Sequence, residues 1–308
     1  MDAVLLGRIG YDLFSEEPGV PLKDVRHFSR YLGGSSANMA VGLARLGMRV
    51  GMVAAVSRDA VGDFLVEFLG REGVDTRHVE RVEGYQSSLC LTEVNPPDRF
   101  PQVFYRKEAA DTQLRVRLEA LNYVAEARMF VTNGTSLCAS PSRESTFAAL
   151  DRARRARATV VFDVDYRAMS WESPEQAGEY ARLALPSVDI LIGNEPELCL
   201  VAGAKNSEEA VERLRGRVPT LVCKLGDQGV RLVSGEEDHT LSPVPVQVAS
   251  TIGAGDGFAA GFLYAVLRGM GWRDCLRYGN AAAAIVVSRL SCSEAMPTLE
   301  ELERMLPA

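Results

Sequence analysis

Hydrophobic positions along this chain alternate between two textures: short continuous apolar runs, and longer stretches of helical character. The continuous runs are Val4–Leu6, Val50–Val56, Met129–Gly134, Ala158–Val164, Val188–Gly193 and Thr220–Cys223. Runs this short, bounded by glycine or polar residues, predict strands buried on both faces, as in a parallel sheet. Between them, Val61–Leu69 sets Phe64, Leu65, Phe68 and Leu69 on one helical face, and Val116–Ala127 reads as another helix. Ser140-Pro141 reads as an N-cap with proline at the first helical position, and Ser173-Pro174-Glu175-Gln176 as a capping box. Further on, an apolar helix runs to about Leu267 and an alanine-rich one spans Cys275–Ser288. Thr298 with Glu301 starts a last helix, Leu299–Leu306. Strand and helix in alternation predict an α/β domain.

Two pieces break that rhythm. From Thr76 to about Lys107 the texture turns irregular: Ser88–Val94 and Gln102–Arg106 alternate with period two around the turn segment Asn95-Pro96-Pro97-Asp98, which predicts a hairpin. The segment from Asp12 to Leu32 is similar. Together they predict a small β-sheet lid (12–34 and 86–110) on a main domain made of 1–11, 35–85 and 111–308. The alternative is that both pieces extend the main sheet at an edge.

The candidate chemistry sits at glycine-rich turns and strand ends. Ser250-Thr251-Ile252-Gly253-Ala254-Gly255-Asp256-Gly257 empties into the apolar helix. Such a turn leaves backbone N–H groups without intrahelical partners, and with the helix dipole they form an anion site suited to phosphate. Asp256, at its mouth, is either an N-cap or a base beside a transferring phosphoryl group. Gly33-Gly34 lets the backbone approach a ligand closely. Asn38, an amide in an otherwise apolar run, must find partners in backbone or in a hydroxylated ligand. Asp12 follows the first strand and is a ligand contact or a turn cap. Polar residues then recur at the carboxyl ends of later strands: Asp165 and Arg167, Asn194 and Glu197, and Lys224. Ligands of open α/β sheets bind at those ends, so these residues and Asp256 are expected in one crevice, equipped for phosphoryl transfer. Ala281–Ala284 either let two helices pack closely or leave room for a planar base.

Composition excludes more than it names. The 308 residues carry a net charge of -7 with no basic stripe, which argues against nucleic acid as a partner. No apolar run approaches the roughly 20 residues that span a bilayer, and Met1–Gly7 lacks the basic start of a signal peptide. Cys90, Cys138, Cys199, Cys223, Cys275 and Cys292 form no CxxC pair, and His27, His78 and His239 are scattered. Neither a zinc site nor a disulfide framework is expected, and reduced thiols point to a cytoplasmic enzyme. A Rossmann dehydrogenase would need a GxGxxG turn after its first strand, a spacing that Gly7-Arg8-Ile9-Gly10 lacks.

Together these motifs resemble the ribokinase-like (PfkB-type) sugar kinase family over nearly the whole chain. Gly33-Gly34-Ser35-Ser36-Ala37-Asn38 resembles its N-terminal sugar-binding signature. Ser250–Gly261 resembles its C-terminal signature, in which the Asp is the catalytic base and the turn Gly253-Ala254-Gly255 the anion hole. Asn194-Glu195-Pro196-Glu197 is similar to the N-x-x-E motif linked to Mg²⁺ and phosphate, and Lys224-Leu225-Gly226 with Gly229 to the nucleotide-side segment. The resemblance implies a three-layer α/β/α fold with a mostly parallel central sheet and a β lid. It implies a sugar at Asp12, Gly33, Gly34 and Asn38, with ATP along Asn194, Lys224, Gly226, Gly229, Gly253, Gly255 and Asn280. Mg²⁺ is implied near Glu197 and Asn194. Lid sheets in this family often pair between subunits, so a homodimer is compatible with it; nucleic acid and membrane are not implied partners.

One position departs from the family: Ser250 stands where many members carry Asp, a change that leaves the base untouched. Gly7-Arg8 with Asp12, Asp165-Tyr166-Arg167 with Trp171, and Ser293–Thr298 resemble the 5-dehydro-2-deoxygluconokinase branch, which acts in myo-inositol catabolism. The Arg at 167 and the pair Tyr105-Arg106 also resemble 2-dehydro-3-deoxygluconate kinases. Both substrates are keto sugar acids, and a carboxylate suits a guanidinium fork, which makes Arg8, Arg106 and Arg167 candidate substrate contacts. A catalytically silent sugar sensor of the same fold would be expected to lose the base or the anion hole, and both motifs stand.

Overall fold

The continuous apolar runs become strands of one large sheet in the computed structural model, which describes residues 1–96 and 99–306. In chain order the strands are β1 (Ala3–Leu6), β2 (Gly10–Ser15), β3 (Phe28–Gly33), β4 (Val50–Ser57), β5 (Asp75–Val82), β6 (Ser88–Thr92) and β7 (Gln102–Tyr105). Then come β8 (Met129–Asn133), β9 (Thr159–Asp163), β10 (Ile190–Asn194), β11 (Thr220–Lys224), β12 (Val230–Ser234) and β13 (Glu237–Leu241). The first helices are α1 (Ser35–Arg45), α2 (Ala60–Arg71), α3 (Leu118–Ala125), α4 (Ser142–Arg155) and α5 (Pro174–Ala184). They are followed by α6 (Glu195–Ala202), α7 (Ser207–Leu214), α8 (Ala254–Leu267), α9 (Trp272–Val287) and α10 (Leu299–Met305).

The main sheet has the order β13-β12-β11-β10-β9-β8-β1-β4-β5. It is parallel from β11 through β5, and β12 and β13 extend it antiparallel. Strand side chains alternate between faces, and β1 shows the result. Ala3 and Leu5 pack in a core with Leu43, Leu65, Phe262, Leu276 and Leu302 of α1, α2, α8, α9 and α10. Val4 and Leu6 join Val124, Leu150, Ala181, Leu198 and Leu214 of α3–α7 on the other face. The molecule is thus a three-layer α/β/α sandwich. Ala281 and Ala282 are fully buried with Phe258 and Phe262, so the alanine run of α9 serves packing against α8.

The two irregular pieces meet in a second, four-stranded sheet of order β3-β2-β6-β7, antiparallel except between β2 and β6. The irregular segment begins later than its texture suggests, because β5 pairs in parallel with β4 as the edge of the main sheet. Pro97 and Asp98 of the expected turn lie outside the described residues; Asn95 and Arg99 pair across it.

Some helix starts differ from expectation: α3 begins at Leu118 rather than Val116, and α9 at Trp272 rather than Cys275. Ser140 does not cap: α4 begins at Ser142, and the Ser140 hydroxyl instead donates to Glu144 Oε1 at 2.6 Å. At α5, Ser173 Oγ does accept the Gln176 N–H, but Gln176 Oε1 accepts the N–H of Glu172, so only half of the capping box forms. Among the described residues no helix is long and apolar enough to cross a membrane.

Candidate active site

At the carboxyl edge of the main sheet, under the small sheet, lies a cavity of about 530 Å³. Its wall is built strand by strand. Arg8 follows β1, Asp163, Asp165 and Arg167 lie at and beyond the end of β9, Asn194 and Glu197 join β10 to α6, Lys224 ends β11, and Gly226 lies just beyond it. Gly34, Ser35 and Asn38 come from the start of α1, and Thr251–Asp256 from the start of α8. Asp12, Phe100, Gln102 and Phe104 reach in from the small sheet. The strand-end residues expected to share a crevice therefore do so.

Asp256 is not a helix cap. The N-cap of α8 is Gly253, held at φ 83°, a left-handed conformation that favours glycine. The Asp256 carboxylate instead accepts Ser35 Oγ–H at 2.8 Å and Asn38 Nδ2–H at 2.7 Å. Ala254 N–H reaches back to Thr251 C=O at 3.4 Å, and Gly257 N–H closes the first helical bond on Gly253 C=O. Between them, the N–H groups of Gly255 and Asp256 have no backbone acceptor among the described residues, and both residues line the cavity. Burial raises the pKa of Asp256 above the ordinary carboxylate value, and the charge of Asp165 adds to this. The bonds from Asn38 and Ser35 pull the other way. These side-chain donors thus favour its ionised form.

Asp12 is 5% exposed, and burial pushes its pKa up to about 6 against the pull of Arg8. Asp12 Oδ1 and Asn38 Oδ1 are buried acceptors with no partner among the described residues. Both residues line the cavity, so a ligand carrying hydroxyl donors would satisfy them. Gly33 does not line it: a Cβ there would overlap the Asp12 carboxyl, so this glycine acts by leaving room for Asp12.

On the opposite wall Lys224 Nζ lies 3.3 Å from both oxygens of Asp163. Burial works against the lysine charge, but Asp163 and Glu197 outweigh it and hold its pKa above the ordinary value. Asn194 and Glu197 form a reciprocal capping box on α6, and Glu197 Oε1 also accepts Tyr166 N–H at 3.0 Å. Four carboxylates (Asp163, Asp165, Glu197 and Asp256) face two cations, Lys224 and Arg167, on this side of the cavity. Burial pushes the pKa of Asp163 up to about 7 against the pull of Lys224 and raises that of Asp256 as well, so a bound divalent cation would be what holds all four ionised. Because both Glu197 oxygens already accept backbone N–H groups, Glu197 suits an outer role through water. No cluster of three or more potential metal-binding side chains occurs among the described residues.

A side pocket of only about 20 Å³, room for one water-sized group, borders the cavity, sharing Arg8, Ser35, Phe104, Asp165 and Arg167 with it and adding Arg106 and Ser170. The three candidate arginines meet there. Arg167 pairs with Asp165 at 3.0 Å and stays half exposed. Arg8 donates to Ser88 Oγ at 3.2 Å. Arg106 does not reach the main cavity, because most of its donors are bound to Asp111, Ser170 Oγ and Thr135 C=O.

Two expected nucleotide contacts also lie outside the cavity wall. Gly229, at φ 96°, approaches the Leu241 carbonyl so closely that a Cβ would clash, which accounts for the glycine. Asn280 Nδ2 donates to Ser242 C=O at 2.9 Å, tying α9 to the segment after β13. Ser35 and Asp163 also line the cavity, although their motifs alone do not single them out. Their positions do: Ser35 lies one helical turn before Asn38, and Asp163 ends an apolar strand.

The profile described as pfkB family carbohydrate kinase matches residues 2–299. A 5-dehydro-2-deoxygluconokinase of Clostridium tetani (strain Massachusetts / E88) is 36% identical over 314 residues, covering 99% of this chain and 93% of that protein. One of Shouchella clausii (strain KSM-K16) is 38% identical over 312 residues, covering 99% and 95%. Among solved structures, the fructokinase of Vibrio cholerae O395 in its fructose-, ADP- and calcium-bound form superposes with a TM-score of 0.88 at 25% identity, covering 100% of this chain and 99% of that one.

Proposed function

Since the chain belongs to the pfkB family of carbohydrate kinases, we propose that it transfers the γ-phosphoryl group of ATP to the primary hydroxyl of 5-dehydro-2-deoxygluconate, a step of myo-inositol catabolism. The observation that carries the reading is Asp256, fixed by Ser35 and Asn38 beside the free N–H groups of Gly255 and itself. In this reading Asp256 takes the hydroxyl proton. The sugar oxygen bonds the γ-phosphorus, and the bond from phosphorus to the β–γ bridging oxygen breaks, leaving ADP. Phosphoryl transfer is loose, so charge stabilisation by the Gly255 and Asp256 N–H groups and by Lys224 contributes more than early proton removal. Mg²⁺, when bound near Glu197 and Asn194, would neutralise phosphate charge. The nucleotide lies along Asn194, Lys224 and Gly226.

The sugar is held through its hydroxyls by Asp12 and Asn38, whose unpartnered oxygens support this role. One oxygen of its carboxylate takes the water-sized side pocket, where Arg8, Arg106 and Arg167 converge, a feature that favours a sugar acid over a neutral sugar. The small sheet acts as a lid. Its edge strand β7 exposes Val103 and Tyr105, which supports pairing of two lids in a homodimer, checked by light scattering.

Coupled ADP release with 5-dehydro-2-deoxygluconate, 2-dehydro-3-deoxygluconate, ribose and fructose tests the proposal. The highest kcat/KM is expected on the first. Preference for the second would reassign the acid, and preference for ribose or fructose would overturn the sugar-acid reading.

A further inference from the structure

Behind Arg106, on the side away from the cavity, lies a carboxylate that the reading above does not use. Asp111 is 3% exposed and pairs with Arg106, itself 8% exposed. Its Oδ2 accepts from Arg106 Nε at 3.0 Å and from Nη2 at 2.7 Å, while its Oδ1 has no partner among the described residues. The second Nη2 hydrogen goes to Thr135 C=O at 2.8 Å, and one Nη1 hydrogen to Ser170 Oγ at 2.9 Å. A guanidinium has five N–H donors; four are engaged, and one remains on Nη1. Arg106 and Ser170 both border the side pocket, as do Arg8 and Arg167.

A buried ion pair is a weak source of stability, since desolvating two charges offsets their attraction. What this one does is geometric. Asp111 takes the Nε–Nη2 edge of the guanidinium, which leaves the one unengaged donor on Nη1, the nitrogen bonded to Ser170 at the border of the side pocket. The anchor also sits where the lid rejoins the main domain: Arg106 directly follows β7, and Asp111 lies in the short turn of helix Ala110–Gln113 that follows. Thr135 gives its hydroxyl hydrogen to Asn133 Oδ1 at 2.8 Å, so the network anchored on Asp111 ends at the Thr135 carbonyl and Ser170.

We infer that Asp111 is a positioning residue for substrate specificity: it orients Arg106 to receive the carboxylate of the sugar acid. This rests on the sugar-acid reading. The test uses the full chain and compares KM for 5-dehydro-2-deoxygluconate, for its uncharged methyl ester and for ATP. Asp111→Asn keeps the shape and is expected to raise KM for the acid by about ten- to hundred-fold, the worth of one misplaced charge-assisted hydrogen bond. KM for the ester and for ATP should stay within about twofold, as no charge is recognised there. Because a lone buried guanidinium endangers folding, the double variant Arg106→Met with Asp111→Leu replaces the pair by apolar groups. It is expected to show the same selective loss. An unchanged KM for the acid, or an equal rise for acid, ester and ATP, overturns the inference. A wild-type enzyme without preference for the acid over its ester overturns the sugar-acid reading itself, before any variant is made.

Discussion

Asn38 Nδ2 lies 2.7 Å from Asp256 Oδ2, a bond between residues 218 positions apart that joins the first turn of α1 to the first turn of α8. It links the sugar side of the cavity to the candidate base. It also opposes the effect of burial on that base, because a donor to the carboxylate favours its ionised form. Removing the donor should therefore raise the Asp256 pKa further. A base acts only when deprotonated, so the acid limb of the kcat/KM profile should move to higher pH in Asn38→Ala. A profile with an unmoved acid limb would refute this coupling.

Asp256→Asn should lose roughly 10²–10⁴-fold in kcat, the usual worth of a general base, while ATP binding measured by calorimetry is kept. Near-normal turnover would remove Asp256 from the role of base.

Asp12 exchanges stability for function. Its pKa is about 6 in the folded chain against an ordinary 3.8. Between those values the folded state holds a proton that the unfolded state has released, so stability falls as pH rises through this window. Above about pH 6 the loss amounts to about 3 kcal/mol, at 1.36 kcal/mol per pKa unit. Asp12→Asn should thus melt higher than the parent at pH 8 and nearly equally at pH 4, while its KM for the sugar rises. Equal melting shifts at both pH values would contradict the assignment.

Arg167→Ala should raise KM for a keto sugar acid far more than for a neutral sugar, because the half-exposed guanidinium is available to an incoming carboxylate. Parallel changes for both substrates would exclude Arg167 from carboxylate recognition.

Much of the architecture was legible in the residue pattern. Apolar runs of strand length, alternating with helical stretches, specify the parallel sheet and its covering layers, because burial on both faces demands unbroken hydrophobicity. The glycine turn before α8, the polar strand ends and the Gly34–Asn38 segment are local features, so their spacing alone announced an anion site at one sheet edge. Where a side chain points, and which charge it meets, depends on contacts across the fold. That Arg106 is held by Asp111, that Gly33 serves Asp12, and that Gly229 and Asn280 stand outside the cavity are tertiary facts. So is the protonation of the carboxylates. Asp12 and Asp256 are ordinary aspartates in sequence, and only the surrounding protein, by excluding water and supplying or withholding donors, sets their charge.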